Sequence, residues 1–210
     1  MQRFYTPRME LQLPGSCAVI AAIMRMPIAC FDPFAGLARQ ILDAIQAMPF
    51  PAMQSLLGPA FPDGNHNYWK STLQAEFSDE AISIVVEHGN RMRSPLSALV
   101  IEYYGGAAGR VAGDATAFPY RHLPWDVLMV AQWTDPSESS LHRQWARDGE
   151  DALRPFAGGG HLLSALDADD TASTAFGPNL SRLSAIKAKY DPDNFFHVNQ
   201  NIKPSLAQSV

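Results

Sequence analysis

Three adjacent polar side chains, Tyr120, Arg121 and His122, lie in the segment FPYRHLPWD at the entry to an apolar run. A phenol, a guanidinium and an imidazole side by side can hold an anion or transfer a proton near neutral pH, which makes them the candidate catalytic residues. The same trio also suits a turn in which Arg121 pairs with an acid and Tyr120 packs. A second group lies in GGGHLLSALD, where Gly158 to Gly160 permit close approach of backbone or ligand ahead of His161. A third is the amide run Asn199, Gln200 and Asn201, in a tail that also carries Phe195, Phe196 and Ile202. Amides that become buried need donors and acceptors, and a ligand or another domain can supply them.

Several other chemistries find no support. The six histidines are scattered, with no pair at helical spacing, so no metal site is expected. The glycines of GGAAGRVAG follow one strand-like run and lead into another, which describes a hairpin turn better than a phosphate loop. No Walker A lysine pattern, GxSxG elbow or HExxH is present. A formal net charge of -5 leaves no basic stripe to neutralise a nucleic-acid backbone. Cys17 and Cys30 are the only cysteines, too few for a disulfide framework. The apolar run SCAVIAAIM, flanked by Arg3, Arg8, Glu10 and Arg25, falls far short of the ~20 residues needed to span a bilayer. A cytoplasmic chain with no membrane partner is the expectation.

The elements that must position these groups follow from periodicity. Leu37, Ile41, Leu42 and Ile45 mark one face of a helix that Pro51 closes. NYWKSTLQ has the aromatic and β-branched content of a strand, and Ser78 then caps a helix whose buried face is Ile82, Val85 and Val86. SPLSALVIEYYGG predicts a strand, GRVAGDATAF its returning partner, and WDVLMVAQWTD a further strand. Ser137 is read as the cap of a helix with Leu141 and Trp145 on one face, and HLLSAL as a short strand. Leu180, Leu183 and Ile186 predict a last helix, with Lys187 and Lys189 in its final turn and Pro192 ending it; Asn194 to Ile202 then run as an irregular tail. Hairpin-joined strands interleaved with helices imply an α+β fold: an antiparallel sheet covered by helices on one face, with an extended C-terminal tail.

In order, YGGAAGRVAGDATAFPYR, WTDP, ALRPFAGGG and AFGPNLSRLSAIKAKYDPDNFFHVNQNIKP resemble the C-terminal half of FAD-dependent oxidases of the berberine-bridge-enzyme type, with the tail the most specific part. The similarity runs from about Phe50 to Pro204, and NYWKS and SDEAI fit the family's substrate domain. The resemblance implies an atypical segment at 1–33, a substrate-domain-like region at 34–160 and a berberine-like segment at 161–210. It implies FAD as cofactor, held in relatives mainly by an N-terminal half, with Ser164, Asn199, Gln200 and Asn201 as this chain's cofactor-facing residues.

Two departures from the family pattern bear on chemistry. The Tyr-x-Asn positions fall on Leu162 and Ser164, so the family's tyrosine base is missing. FPHRD in many relatives becomes FPYRH, which puts His122 where an acid is expected. The resemblance therefore implies the substrate-binding part of an oxidoreductase that passes a hydride from a small organic substrate to flavin and then to oxygen. No flavin-domain pattern is visible in these residues, and the reading is of a truncated chain, a half completed by a separate FAD-binding domain, or a domain reused for binding. In the last case Trp69, Tyr103, Tyr104, Trp125 and Trp133 would line a small-ligand surface.

Overall fold

The structure, a computed structural model, describes residues 49–55, 58–166 and 171–205, with backbone alone at Met53 and Gln54. The helix expected around Leu37 to Ile45, the apolar run SCAVIAAIM and both cysteines lie outside the described residues. The chain divides into two units, Met1–Asp63 and Gly64–Val210. In the first, the described residues form α1 (Phe50–Gln54) and a 3-10 turn at Gly58–Ala60. Pro51 stands in the first turn of α1, where its missing N–H and fixed φ are tolerated.

The second unit is built on β1 (His66–Gln74), β2 (Ala98–Tyr103) and β3 (Trp125–Trp133), in the order β1-β3-β2 with both pairings antiparallel. The register sets Leu73 opposite Asp126 on one side, and Glu102 opposite Asp126 on the other. Because side chains alternate, Tyr68, Lys70, Thr72, Val127, Met129, Ala131 and Trp133 share one face, and Ser71, Leu73, Glu102, Asp126, Leu128 and Val130 the other.

The first face is covered by α2 (Asp79–Gly89) and α3 (Ser139–Leu153). Ser78 accepts from the backbone N–H of Ala81, as its capping role requires. The buried side of α2 is Ala81, Val85 and His88, with Ile82 and Val86 only half-buried. In α3 it is His142, Trp145, Ala146, Gly149 and Leu153. Trp145 stacks on His88 with ring centroids 4.9 Å apart and donates from Nε1 to the His88 carbonyl at 3.3 Å. Trp133 stacks on His142 at 5.1 Å and donates to Ser139. Each indole thus buries its body and satisfies its N–H.

Three expectations need correcting. Ser137 does not cap α3: Asp135 caps a 3-10 turn, Pro136–Glu138, that precedes it, and Leu141 is 43% exposed because it falls off the Trp145 stripe. GRVAGDATAF is not a strand. It lies in a long connection of successive turns, residues 104–124, and the pairing expected of it is taken by β3, which fills the inner edge of β2. HLLSAL is not a strand either; Leu163–Ala165 make a 3-10 turn. The last helix forms as expected, α5 (Leu180–Tyr190), after α4 (Ala172–Phe176), and an irregular tail follows it. Among the described residues no helix is long and apolar enough to cross a membrane.

Gly149 sets how closely α3 approaches the sheet. A Cβ there would stand 2.5 Å from Nε2 of His88 and 2.7 Å from Cγ of Met129. His88 is clamped by Trp145 and cannot swing away. Gly149→Ala should therefore lower stability by about 1–3 kcal/mol, the usual range for overpacking, read as a lower urea midpoint at unchanged slope.

Candidate functional site

The second sheet face holds a buried carboxylate. Asp126 is 0% exposed, in the central strand, and its Oδ1 accepts from the Ser71 hydroxyl at 2.7 Å. Its Oδ2 is buried and has no hydrogen-bond partner among the described residues. Directly across the pairing stands Glu102, whose carboxylate in turn accepts from the Tyr104 hydroxyl. The backbone N–H of Tyr104 donates to the Pro124 carbonyl at 2.7 Å, which continues the ladder and holds the phenol beside the pair.

Burial is the main cause that raises the Asp126 pKa to about 7, and the facing Glu102 charge adds to it; hydrogen bonds from Ser71 and from the Thr72 and Val127 backbone oppose it. Tyr104 is also pushed well above the usual phenol range, first by burial and then by Glu102. The result is a carboxyl that holds or releases a proton near neutrality, with one oxygen unengaged. Sequence reading misses it. The available signal is an acid inside the continuous apolar run WDVLMVAQW, since an aspartate there must be buried with whatever faces it.

Tyr120 is buried beside this cluster. It packs with Leu123 and Leu73, the residue opposite Asp126 on β1, and Leu162 joins the same group. Its hydroxyl donates to the Thr174 carbonyl at 3.1 Å, and burial raises its pKa. The glycines explain its seat: a Cβ on Gly160 would stand 2.4 Å from the ring, and one on Gly177, at φ +41°, would stand 2.5 Å from the hydroxyl. Arg121 donates to the Ala108 carbonyl and to Thr116 Oγ1, and so braces the 104–124 connection. His122 is exposed.

Of the cofactor candidates, Ser164 is exposed in the Leu163–Ala165 turn. Asn199, at φ +59°, accepts from the Asn201 backbone N–H at 2.9 Å. The tail folds back on α5, with Ser205 N–H donating to the Ser184 carbonyl and Lys187 Nζ to the Phe196 carbonyl. The side-chain oxygens of Asn194 and Asn201 are buried without hydrogen-bond partners among the described residues. Such acceptors call for an N–H or O–H donor from beyond the described residues, a demand that a flavin, with ring N–H and ribityl O–H groups, would meet. Phe195, Phe196 and Val198 are 74%, 74% and 76% exposed. Among the described residues no three His, Cys, Asp or Glu side chains gather as a metal would require.

Residues 163–203 match the family model described as berberine and berberine like. The chain is a relative of the berberine-like FAD-linked oxidoreductases. It is 24% identical to an FAD-linked oxidoreductase of Dictyostelium discoideum, over 78% of this chain and 36% of that protein. It is 30% identical to the FAD-linked oxidoreductase YgaK of Bacillus subtilis, over 64% of this chain and 30% of that protein. The solved structure of Physcomitrella patens BBE-like 1, variant D396N, is 26% identical with a TM-score of 0.61, covering 68% of this chain and 31% of the other. The chain thus spans about a third of the length of the curated relatives it matches. The berberine-like segment also clamps the long connection: Asn179 Nδ2 donates to the carbonyls of Gly113 and Thr116 at 2.7 and 2.9 Å, and Arg182 donates to that of Asp114 at 2.8 Å.

A pKa raised to about 7 means that the folded state holds this proton more tightly than the unfolded chain does. The stability is full below pH ~4 and is lost as pH rises toward 7, because the unfolded chain ionises first. His88, held neutral mainly by burial, acts with the opposite sign, so the comparison must be with Asp126→Asn, which leaves His88 in place. The stability of the wild type relative to that variant should fall by roughly 2–4 kcal/mol between pH 4 and 7.5 in urea titrations. Parallel pH profiles would show that Asp126 ionises normally.

Proposed function

We propose that this chain forms the substrate side of an FAD-linked oxidoreductase, with the Asp126 face of the sheet turned toward the reacting centre. The observation that carries the reading is the buried Asp126 carboxyl with an unengaged oxygen, on a fold shared with FAD-linked relatives. Bound FAD would supply the redox chemistry, taking a hydride from a substrate carbon and passing the electron pair to oxygen.

The chain's own residues then manage the proton. Asp126 is fully buried, so the reading requires the side chains over Oδ2 to part on substrate entry; a substrate O–H or N–H then donates to Oδ2, which takes the proton as the neighbouring C–H bond is broken, and the product leaves as a carbonyl or imine. The Ser71 hydroxyl fixes Oδ1, so Oδ2 is the oxygen left for substrate. Burial, with the facing Glu102 charge held by Tyr104 adding to it, keeps the Asp126 proton affinity high enough to be useful at neutral pH. This assignment supplies a base where Leu162 replaces the family's tyrosine. Tyr120 and Arg121 serve as positioning residues, seating the 104–124 connection over Leu73, and His122 stands exposed on that connection.

Ser164, Asn199, Gln200 and Asn201 are the groups we assign to the flavin side. The exposed Phe195, Phe196 and Val198 form apolar surface of the kind a flavin-binding domain would cover.

A chimera tests the reading: residues 64–205 exchanged for the matching third of a flavin-loaded relative such as YgaK, and assayed by flavin bleaching against a panel of alcohols, sugars and amines. Asp126→Asn in that chimera should slow bleaching by about 100-fold or more while leaving flavin content unchanged. Equally fast bleaching with and without the Asp126→Asn substitution would remove Asp126 from the mechanism.

A further inference from the structure

The most exposed large apolar side chains among the described residues are Tyr190, Phe195, Phe196 and Val198, at the end of α5 and in the tail. Apolar rings gain by leaving water, so a tail that keeps them out is held there by stronger contacts. Those contacts come from Lys187, in the last turn of α5, and Asp191, at its C-cap. The Asp191 carboxylate accepts from the Phe195 backbone N–H at 2.7 Å on Oδ1 and from that of Phe196 at 3.0 Å on Oδ2. Lys187 Nζ closes the loop by donating to Asp191 Oδ2 and to the Phe196 carbonyl, each at 2.5 Å.

The usual arrangement of a folded chain is inverted here. The charged side chains of Lys187 and Asp191 are 16% and 13% exposed, beneath two rings that stand mostly in solvent. The turn between them is fixed as well: Asn194 N–H donates to the Asp191 carbonyl at 3.1 Å, and Asn194 takes φ +53°, a left-handed conformation that asparagine tolerates. The rings of Phe195 and Phe196 meet edge to face at 5.0 Å and form one knob. Charge-assisted hydrogen bonds that order a tail without burying its rings add little to the core of this unit. They do preorganise a surface, and a surface already in its bound shape loses less entropy on docking.

We propose that Lys187 and Asp191 are positioning residues that hold Phe195 and Phe196 outward as a preformed docking knob for the flavin-binding domain. The inference rests on the reading of this chain as the substrate side of an FAD-linked oxidoreductase. That domain is the occupant because the knob lies within residues 163–203, the part matched to berberine-like proteins, in a chain that spans only about a third of its FAD-linked relatives.

The test follows chymotrypsin cleavage after Phe195 and Phe196 by mass spectrometry, in the full chain and in the YgaK chimera. Cleavage should be about tenfold slower in the chimera, where the knob is covered. Lys187→Met keeps the apolar stem but removes the ammonium, and should speed cleavage about tenfold in both proteins; Asp191→Ala should do the same, and Lys187→Arg should do neither. The urea midpoint of the full chain should stay unchanged in all three variants, because neither side chain belongs to the core. Cleavage unaltered by Lys187→Met and Asp191→Ala would show that the pair does not hold the knob. Equal cleavage in the full chain and the chimera would show that no flavin-binding domain covers it, and protection of the full chain that grows with its concentration would assign the knob to a second copy. Each of these results overturns the proposal. Flavin bleaching in the same chimera judges Asp126 separately, so either reading can fail alone.

Discussion

The structure depends on β3 being paired on both edges and buried on both faces. From Asp126 to Trp133 every residue of the strand is buried. Its backbone groups are satisfied by β1 and β2, so what remains to be accommodated is the alternating side chains. Val127, Met129, Ala131 and Trp133 meet α2 and α3, and that contact supplies the apolar core. The opposite set cannot be wholly apolar, because Asp126 and Gln132 belong to it. Across β3 itself, one face is wholly apolar and the other mixes Asp126 and Gln132 with Leu128 and Val130.

The polar face is where the fold creates chemistry. Antiparallel register sets Glu102 opposite Asp126, and like charges across a pair raise the cost of ionising both. The surrounding chain answers with hydrogen bonds from Ser71 and from the Thr72 and Val127 backbone, and leaves Oδ2 without a partner among the described residues. The neighbouring group of Leu73, Tyr120, Leu123 and Leu162 draws on β1, the long connection and the residue just before the berberine-like match, and glycines at 160 and 177 let it close. Segments far apart in sequence thus meet beside one carboxyl, with Asn179 and Arg182 tying the connection from the C-terminal side.

Much of this is legible in the sequence. NYWKSTLQ, SALVIEYY and WDVLMVAQW carry strand composition over their whole length, and Ser78 and the lysines of α5 mark helix ends through local hydrogen bonds and dipoles. GRVAGDATAF misleads because its content allows a strand, while the long-range donors Asn179 and Arg182 capture its carbonyls in turns and Arg121 holds the Thr116 hydroxyl. HLLSAL misleads for a similar reason: its leucine spacing suits either state, and packing of Leu162 against Tyr120 decides. Tyr120 and His122 stand out for their chemistry, yet sequence cannot tell a buried phenol from an exposed imidazole two residues away. Asp126 escapes notice because an acid in an apolar strand gains meaning only once register reveals Glu102 opposite it.

The central claim is that Asp126 is a buried carboxyl poised near neutrality. The direct measurement is a 13C NMR titration of the aspartate side-chain carboxyl resonances in the intact chain, with Asp126 assigned by its disappearance in Asp126→Asn. The account predicts a midpoint near pH 7 for Asp126. A midpoint near 4, in the ordinary carboxylate range, would contradict it.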